Sequence, residues 1–161
     1  MAYASRGCLH YDLHDFAEAL ADYHKVIELD AANTSGDYAR FRIWLIRARQ
    51  QDAAAATVEL QTFLASRTTG IPDDWVSKIG RFLAGQLSEP DFFAAAKNAN
   101  PKTESQQLCE AYFYAGSKHL FAGDQPTATD FFQKSLSTSQ TGYLEYASAA
   151  AELKFLKPEK N

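Results

Sequence analysis

The side chains best suited to chemistry are concentrated near the start of the chain. His10, Asp12, His14, Asp15 and Glu18 fall within one short segment, and imidazole nitrogens and carboxylate oxygens are ligands that Zn²⁺ accepts. His10 and His14 stand four residues apart, so they share a helix face if the helix extends that far. A metal site needs three or four ligands at one point. The alternative, which we favour, is that His10 packs inside a pair of helices, and we predict no metal or other cofactor.

The second chemical possibility is a thiol nucleophile. Cys8 and Cys109 are the two cysteines of the chain, and a nucleophilic cysteine needs a base beside it. Neither is flanked by a catalytic motif, and the sequence contains no phosphate-binding glycine loop and no nucleophile elbow. Buried cysteines on helices usually act as small apolar fillers. We therefore predict that the protein is not an enzyme and that the two distant cysteines do not pair.

A repeated spacing indicates which elements hold these residues. Gly7 and Gly116 are surrounded by similar residues at identical offsets: Tyr3, His10, Asp15, Ala19 and Tyr23 around the first, and Tyr112, His119, Asp124, Ala128 and Phe132 around the second. This spacing matches the tetratricopeptide repeat, a helix–turn–helix unit of about 34 residues. Glycine inside a helix costs about 1 kcal/mol relative to alanine. The pattern therefore predicts that each glycine lets the aromatic ring of a second helix approach closely, with the aspartate at the turn.

The middle of the chain carries the same pattern more weakly. Trp44 occupies the glycine position of a second unit, followed by Asp52, Ala56 and Leu60, and Gly80 begins a third unit with Leu83, Ser88 and Ala96. The regular step predicts an all-α fold: a right-handed α-α superhelix, or TPR-like solenoid, of about four helix pairs plus a C-terminal capping helix. We predict one domain over 1–157, with units at about 1–34, 36–68, 72–101 and 104–140 and the capping helix at 142–156.

The predicted helices follow from this pattern and from local helix signals. They cover about 2–13, 16–29, 36–50, 53–66, 73–85, 89–98, 104–122, 125–138 and 142–156. Asp73 is predicted to cap the fifth helix, and Ser88 followed by Pro90 to begin the sixth. In the last helix we expect three apolar residues to face inward and three polar residues to face water: Leu144, Ala147 and Ala151 inward, and Glu145, Ser148 and Glu152 outward.

Composition restricts the class of partner. The chain has 161 residues, 46% of them hydrophobic, and a formal net charge of −4, which disfavours nonspecific binding to nucleic acid. No apolar run approaches the 18 residues of a membrane span, although basic residues cluster at Arg40, Arg42, Arg47 and Arg49. The compartment is left open: the protein is either cytoplasmic, or periplasmic if an upstream signal is missing from this sequence.

The partner is predicted to occupy the concave side that first helices of such repeats line. Side chains that point away from the partner helix form the predicted groove: Tyr38, Phe41, Arg42, Leu45 and Arg49 in the second unit, and Phe113, Tyr114, Ser117 and Phe121 in the fourth. Aromatic and arginine side chains dominate binding energy at protein interfaces. The alternative is that these residues pack on the neighbouring unit. Glu104, Glu110, Asp124 and Asp130 are interpreted as solvated faces and caps.

Three passages in the second half resemble the bacterial NlpI lipoprotein family, a periplasmic group of tetratricopeptide proteins. They are Trp75 with the segment 82–89, the segment 110–116 followed by Gly123 and Asp124, and the segment 143–147 leading to 151–153. The resemblance implies a helical adaptor that can dimerise and dock other proteins, such as a peptidase. The residues of this sequence include no counterpart of that family's lipidated N-terminal cysteine and leading helices, so membrane anchoring is not part of the expectation.

These observations predict a noncatalytic scaffold that binds a protein or peptide in its groove. Two alternatives remain open. One is a structural module that associates with a second copy, forming a homodimer through the uncovered first helix and Tyr3. The other is a periplasmic lipoprotein-type adaptor for a peptidase.

Overall fold

The computed structural model describes residues 2–30, 32–68 and 70–156, and every regular element in these ranges is an α-helix. The nine helices described there are α1 (Ala2–Asp12), α2 (Phe16–Asp30), α3 (Thr34–Arg49), α4 (Ala53–Ser66), α5 (Trp75–Leu83), α6 (Glu89–Ala95), α7 (Pro101–Phe121), α8 (Gln125–Ser137) and α9 (Leu144–Leu156). The predicted all-α class is confirmed. The largest differences from the predicted helix bounds are three residues, at the end of α6 and the start of α7.

The chain divides into two compact units, one reaching Phe92 and the other beginning at Phe93. In the first, α1 packs on α2, α2 on α3 and α3 on α4, and α5 contacts both α3 and α4. In the second, α7 packs on α8 and both contact α9. From α1 to α5 and from α7 to α9, consecutive helices are therefore neighbours. The single domain over 1–157 stays a prediction.

Four helix–turn–helix connections close with the same backbone geometry. Each contains one residue in the left-handed region: His14, Gln51, Gly85 and Gly123, with φ from 62° to 85°. In each connection the N–H of the next residue donates to the carbonyl oxygen five residues back, at 2.8–2.9 Å. This is the Schellman closure, which satisfies carbonyl groups at the end of the first helix. The recurrence shows that the repeated spacing corresponds to a repeated turn.

The predicted role of the two glycines is confirmed. A Cβ atom added at Gly7 would lie 3.0 Å from Cε1 of Tyr23, and one at Gly116 would lie 2.8 Å from Cε1 of Phe132. Ala19 also lies fully buried beside the first contact. The missing side chain thus makes room for the aromatic ring of the following helix, once in each unit.

Gly80 and Trp44 occupy the same repeat position but pack differently. A Cβ atom on Gly80 would meet Leu64 at 2.7 Å and Phe41 at 3.0 Å, so this glycine admits α3 and α4. Trp44 instead donates its indole N–H to Thr57 Oγ1 at 3.0 Å. This repeat position therefore holds a glycine at a close helix contact in three units, and in the remaining unit it holds Trp44, whose ring is fixed by a hydrogen bond.

Helix caps follow the predicted chemistry, with one shift of register. Asp74, and not Asp73, caps α5 by accepting a hydrogen bond from the N–H of Ser77 at 2.8 Å. Asp73 adopts φ 64° and forms ion pairs with Lys78 and Arg81. The prediction at Asp73 is wrong because either aspartate could cap in sequence, and the left-handed turn at Asp73 gives the position to its neighbour.

The predicted inward face of α9 is also wrong. Glu145, Ser148 and Glu152 are buried, whereas Leu144 and Ala147 are exposed. The phenolic hydroxyl of Tyr114 on α7 donates to Glu145 Oε1 at 3.1 Å. Because α7 offers polar groups to α9, the polar face of α9 is the one that packs.

Candidate functional site

The histidines that suggested a metal site have structural contacts instead. His10 Nδ1 lies 3.7 Å from Asp15 Oδ2, and His119 Nδ1 lies 3.2 Å from Asp124 Oδ2. Arg47 makes the equivalent contact with the turn aspartate of its own helix pair, at 2.6 Å from the carboxylate. A basic side chain thus contacts the turn aspartate in three helix pairs. Within 2–30, 32–68 and 70–156, no three His, Cys, Asp or Glu residues are placed to hold a metal.

His14 does not join His10 in a ligand set. Its Nε2 atom lies 3.1 Å from Nη1 of Arg49, and its ring stacks on Phe16 with centroids 5.2 Å apart. Since a guanidinium is only a donor, Nε2 of His14 is the acceptor in this contact. The hydrogen bond between His14 and Arg49 therefore joins the turn after α1 to the end of α3.

The two cysteines are buried, and no disulfide joins them, as predicted. Burial raises the pKa of the Cys109 thiol, although a contact with Ser135 opposes this effect. A raised thiol pKa reduces the thiolate fraction that nucleophilic chemistry needs. The Ser135 hydroxyl donates to the Cys109 carbonyl oxygen at 2.9 Å, so the pair joins α7 to α8.

Most of the predicted groove residues pack inside the chain. The buried ones are Phe41, Arg42, Leu45, Phe113, Tyr114 and Ser117, and the partly exposed ones are Tyr38, Arg49 and Phe121. The Cζ atom of Arg42, for example, lies 5.1 Å from the centre of the Tyr11 ring. These six side chains are covered by other residues of the chain, and their role in a binding groove stays a prediction. Glu110, expected on a solvated face, is buried as well.

A buried ionic cluster fixes the connection between α4 and α5. Arg67 donates through Nε to Asp37 Oδ2 and through both terminal nitrogens to Asp74, each at 3.0 Å. Burial alone would raise the pKa of Asp74, but the bonds from Arg67 and from Ser77 outweigh it and hold that pKa below its usual value. Gly70 allows the loop to lie against this pair, since a Cβ atom there would lie 2.1 Å from the Asp74 carboxylate.

An open groove lies on the opposite side of α3 from the predicted one. We call it the Arg40 groove. Its volume is about 160 Å³, and it is lined by α2, α3 and α4: His24, Ile27, Arg40, Ile43, Trp44, Arg47, Ala56, Glu59, Leu60 and Phe63. Arg40, Ile43, Trp44 and Arg47 follow the i, i+3, i+4, i+7 spacing of one helix face. Tyr38 lies about 200° around the helix from Arg40, which is why the predicted face and the open face differ.

The rim of the Arg40 groove carries charge at both ends. Arg47 is neutralised there, with ion pairs to Asp52 at 2.6 Å and to Glu59 at 2.5 Å. Arg40 donates from Nη1 to the carbonyl oxygen of Gly36 at 3.0 Å, and its guanidinium lies 4.2 Å over the centre of the Phe63 ring. In the part of the chain that the structure describes, no carboxylate lies within 4 Å of the Arg40 guanidinium.

The comparisons with known proteins include a partial match to a lipoprotein. No protein-family model matches the chain. Over 103 residues, 62% of its length, the chain is 30% identical to a protein named Lipoprotein NlpI homolog from Haemophilus influenzae. The match covers 33% of that relative, so the chain spans about a third of the relative's length. The similarity supports a tetratricopeptide-like family at most. Separately, none of the helices in the described residues has the length and apolar character that crossing a membrane requires.

Proposed function

We propose that the chain is a noncatalytic, TPR-like scaffold that binds a protein or peptide. The observation that carries this proposal is the recurrence of one interlock, in which a helical glycine admits the aromatic ring of the next helix at Gly7 and at Gly116. The same Schellman turn follows both helices. Repeated helix pairs of this kind build extended binding surfaces. The helix pairs are proposed to belong to a right-handed solenoid, and the partial similarity to an NlpI homolog supports an adaptor role.

The proposed binding surface of the first compact unit includes Tyr38 and Arg49, and that of the second compact unit includes Phe121, the partly exposed residues of the predicted groove. The buried members are proposed to shape this surface from beneath. Truncating Phe113 or Tyr114 would be a poor test of binding, because large-to-small changes in a core cost about 3–5 kcal/mol of unfolding free energy. A test of partner binding must therefore change or label exposed positions.

A photo-crosslinking phenylalanine analogue placed at Tyr38 or Phe121 tests the proposal in cells that encode the chain. We expect a discrete protein adduct from each position, because cross-linking reports contact without requiring a stable complex. The same analogue at Leu144, an exposed position on α9, is the matched control and should give none. Equal labelling from all three positions, or no adduct from Tyr38 and Phe121, would remove the proposed surface.

The second candidate function is that of a periplasmic adaptor for a peptidase. It rests on the similarity to a lipoprotein over 103 residues. Identification of the adducts by mass spectrometry separates the two, because a peptidase among them would favour the periplasmic adaptor.

A further inference from the structure

We propose that the Arg40 groove binds an acidic segment of a protein partner, with a carboxylate of the partner on Arg40 and a neighbouring aliphatic side chain over the groove floor. This inference rests on the proposed protein-binding function and names the chemistry of the partner. Its site lies on the face of α3 opposite Tyr38.

The first argument is the unused hydrogen-bonding capacity of Arg40. A guanidinium carries five N–H donors in a rigid fork, and within 2–30, 32–68 and 70–156 the bond to the carbonyl oxygen of Gly36 is the one hydrogen bond that Arg40 donates. The Arg40 Cζ atom lies 4.2 Å from the centre of the Phe63 ring, and a contact with a ring uses none of the N–H donors. The edge of a guanidinium is the part that engages a carboxylate through two parallel hydrogen bonds.

The second argument is electrostatic. Burial lowers the pKa of Arg40, and the field of Asp37 opposes this effect only in part. The positive charge is thus partly desolvated, no carboxylate among the described residues forms an ion pair with it, and a ligand carboxylate would supply one. Both carboxylates at the rim, those of Asp52 and Glu59, pair with Arg47. Among the described residues that line the groove, Arg40 is therefore the arginine whose charge no carboxylate neutralises.

The third argument is the comparison with two other depressions among the described residues. One lies beside α4 and α5, and its arginines, Arg67 and Arg81, already pair with aspartates. Another lies beside α7 and α8, and its Lys134 already pairs with Asp130. Of the three depressions, only the Arg40 groove combines an apolar floor with an arginine that lacks an acidic partner in the described residues.

The apolar floor of the Arg40 groove determines which side chain of the ligand lies beside the carboxylate. Ile27, Ile43 and Phe63 are partly exposed there, and the Trp44 ring is held in place by its bond to Thr57. A volume of about 160 Å³ accommodates a few side-chain groups but not a folded element. A glutamate beside a leucine fits this combination of charge and apolar surface.

The test uses a blocked tripeptide, glutamate between two leucines, titrated into the ¹⁵N-labelled chain. The indole N–H signals of Trp44 and Trp75 are the reporters, because Trp44 lines the groove and Trp75 stacks on Phe92 elsewhere in the same unit. We expect a saturable shift of the Trp44 signal and none of the Trp75 signal. The matched peptide with glutamine in place of glutamate should bind about tenfold more weakly.

Two variants complete the experiment. Arg40→Gln should weaken binding of the glutamate peptide by about tenfold and remove its preference over the glutamine peptide. Arg81→Gln removes an arginine of the same unit outside the groove and should change nothing. Circular dichroism checks that both variants remain folded. Equal binding of the two peptides, an unchanged affinity in Arg40→Gln, or no Trp44 shift up to about 10 mM peptide would overturn the inference.

The outcomes separate this inference from the general function. If the tripeptide fails while adducts form at Tyr38 and Phe121, the Arg40 groove is not the acidic-peptide site and the scaffold function stands. If both fail, the scaffold function itself is refuted.

Discussion

Single glycines determine how closely the paired helices approach. At Gly116 a methyl group would meet two carbon atoms of the Phe132 ring at 2.8 and 2.9 Å and the carbonyl oxygen of Ala128 at 3.3 Å. The backbone oxygen cannot move without shifting α8. At Gly7 the nearest atoms, on Tyr23 and Asp22, begin at 3.0 Å, so the space is slightly larger.

We predict that Gly116→Ala lowers the free energy of unfolding by about 1–3 kcal/mol, because overpacking outweighs the higher helix propensity of alanine. Gly7→Ala should lower it by less. Gly142→Ala is the control, since a Cβ atom there would meet nothing within 4 Å. Urea denaturation measures all three. A Gly116→Ala variant as stable as the parent would contradict the interlock.

The residue scale also shows what periodicity predicts well and what it does not. The glycine–aromatic contacts follow from spacing within 16 residues, so the sequence was sufficient to predict them. The burial of Glu110 and Glu145 depends on which helix covers them. A polar helix face has the same period whether it meets water or another polar face, and no local signal separates the two cases.

At the scale of elements, the connection from α4 to α5 depends on one arginine. Arg67 is almost fully buried, with a side-chain exposure of 5%, and it neutralises two carboxylates, that of Asp37 at 0% and that of Asp74 at 17%. Removing the cation would leave buried negative charges without their partner. The cluster thus holds the start of α3 and the start of α5 to the end of α4.

We predict that Arg67→Gln lowers the free energy of unfolding of the chain by about 3–5 kcal/mol. Arg81→Gln, in which a more exposed arginine loses its pair with Asp73, should change it by less than about 1 kcal/mol. Thermal and urea unfolding of the two variants provide the comparison. Similar losses in both would mean that the buried cluster has no special importance.

The same variant has a distinct pH profile. Because the folded pKa of Asp74 lies below its usual value, its ion pair stabilises the fold fully above a pH of about 4 and loses this effect as the pH falls through the folded pKa. We therefore expect a shallower loss of stability between about pH 4 and pH 2 in Arg67→Gln than in the parent. An unchanged acid profile would contradict this assignment.

Helix positions were more predictable than helix surroundings. Caps, prolines and the aspartate at each turn are local, so eight of the nine helices in the described residues begin within two residues of their predicted start. The open face of α3 is not local, because it is defined by where α2 and α4 leave a gap. The clustering of Arg40 and Arg47 in sequence was the available signal, but it did not indicate which arginine already has acidic partners.

At the scale of the molecule, self-association remains the main alternative to the binding of another protein. Leu9 and Leu13 are 57% and 58% exposed beside each other on the first helix and its turn. If this surface joins two copies, the sedimentation coefficient will rise with concentration, and Leu9→Glu with Leu13→Glu will abolish the rise. Val58→Glu, at an exposed position on α4, is the control. A strict monomer across the range would eliminate this alternative.

The placement of the aromatic side chains has a practical consequence. Trp44 and Trp75 are the only tryptophans of the chain, and both belong to the unit that reaches Phe92. Indole emission therefore senses denaturation of that half alone, whereas far-ultraviolet dichroism senses every helix. Coincidence of the two melting curves would show that both halves lose structure cooperatively, and a gap between them would reveal the order in which they melt.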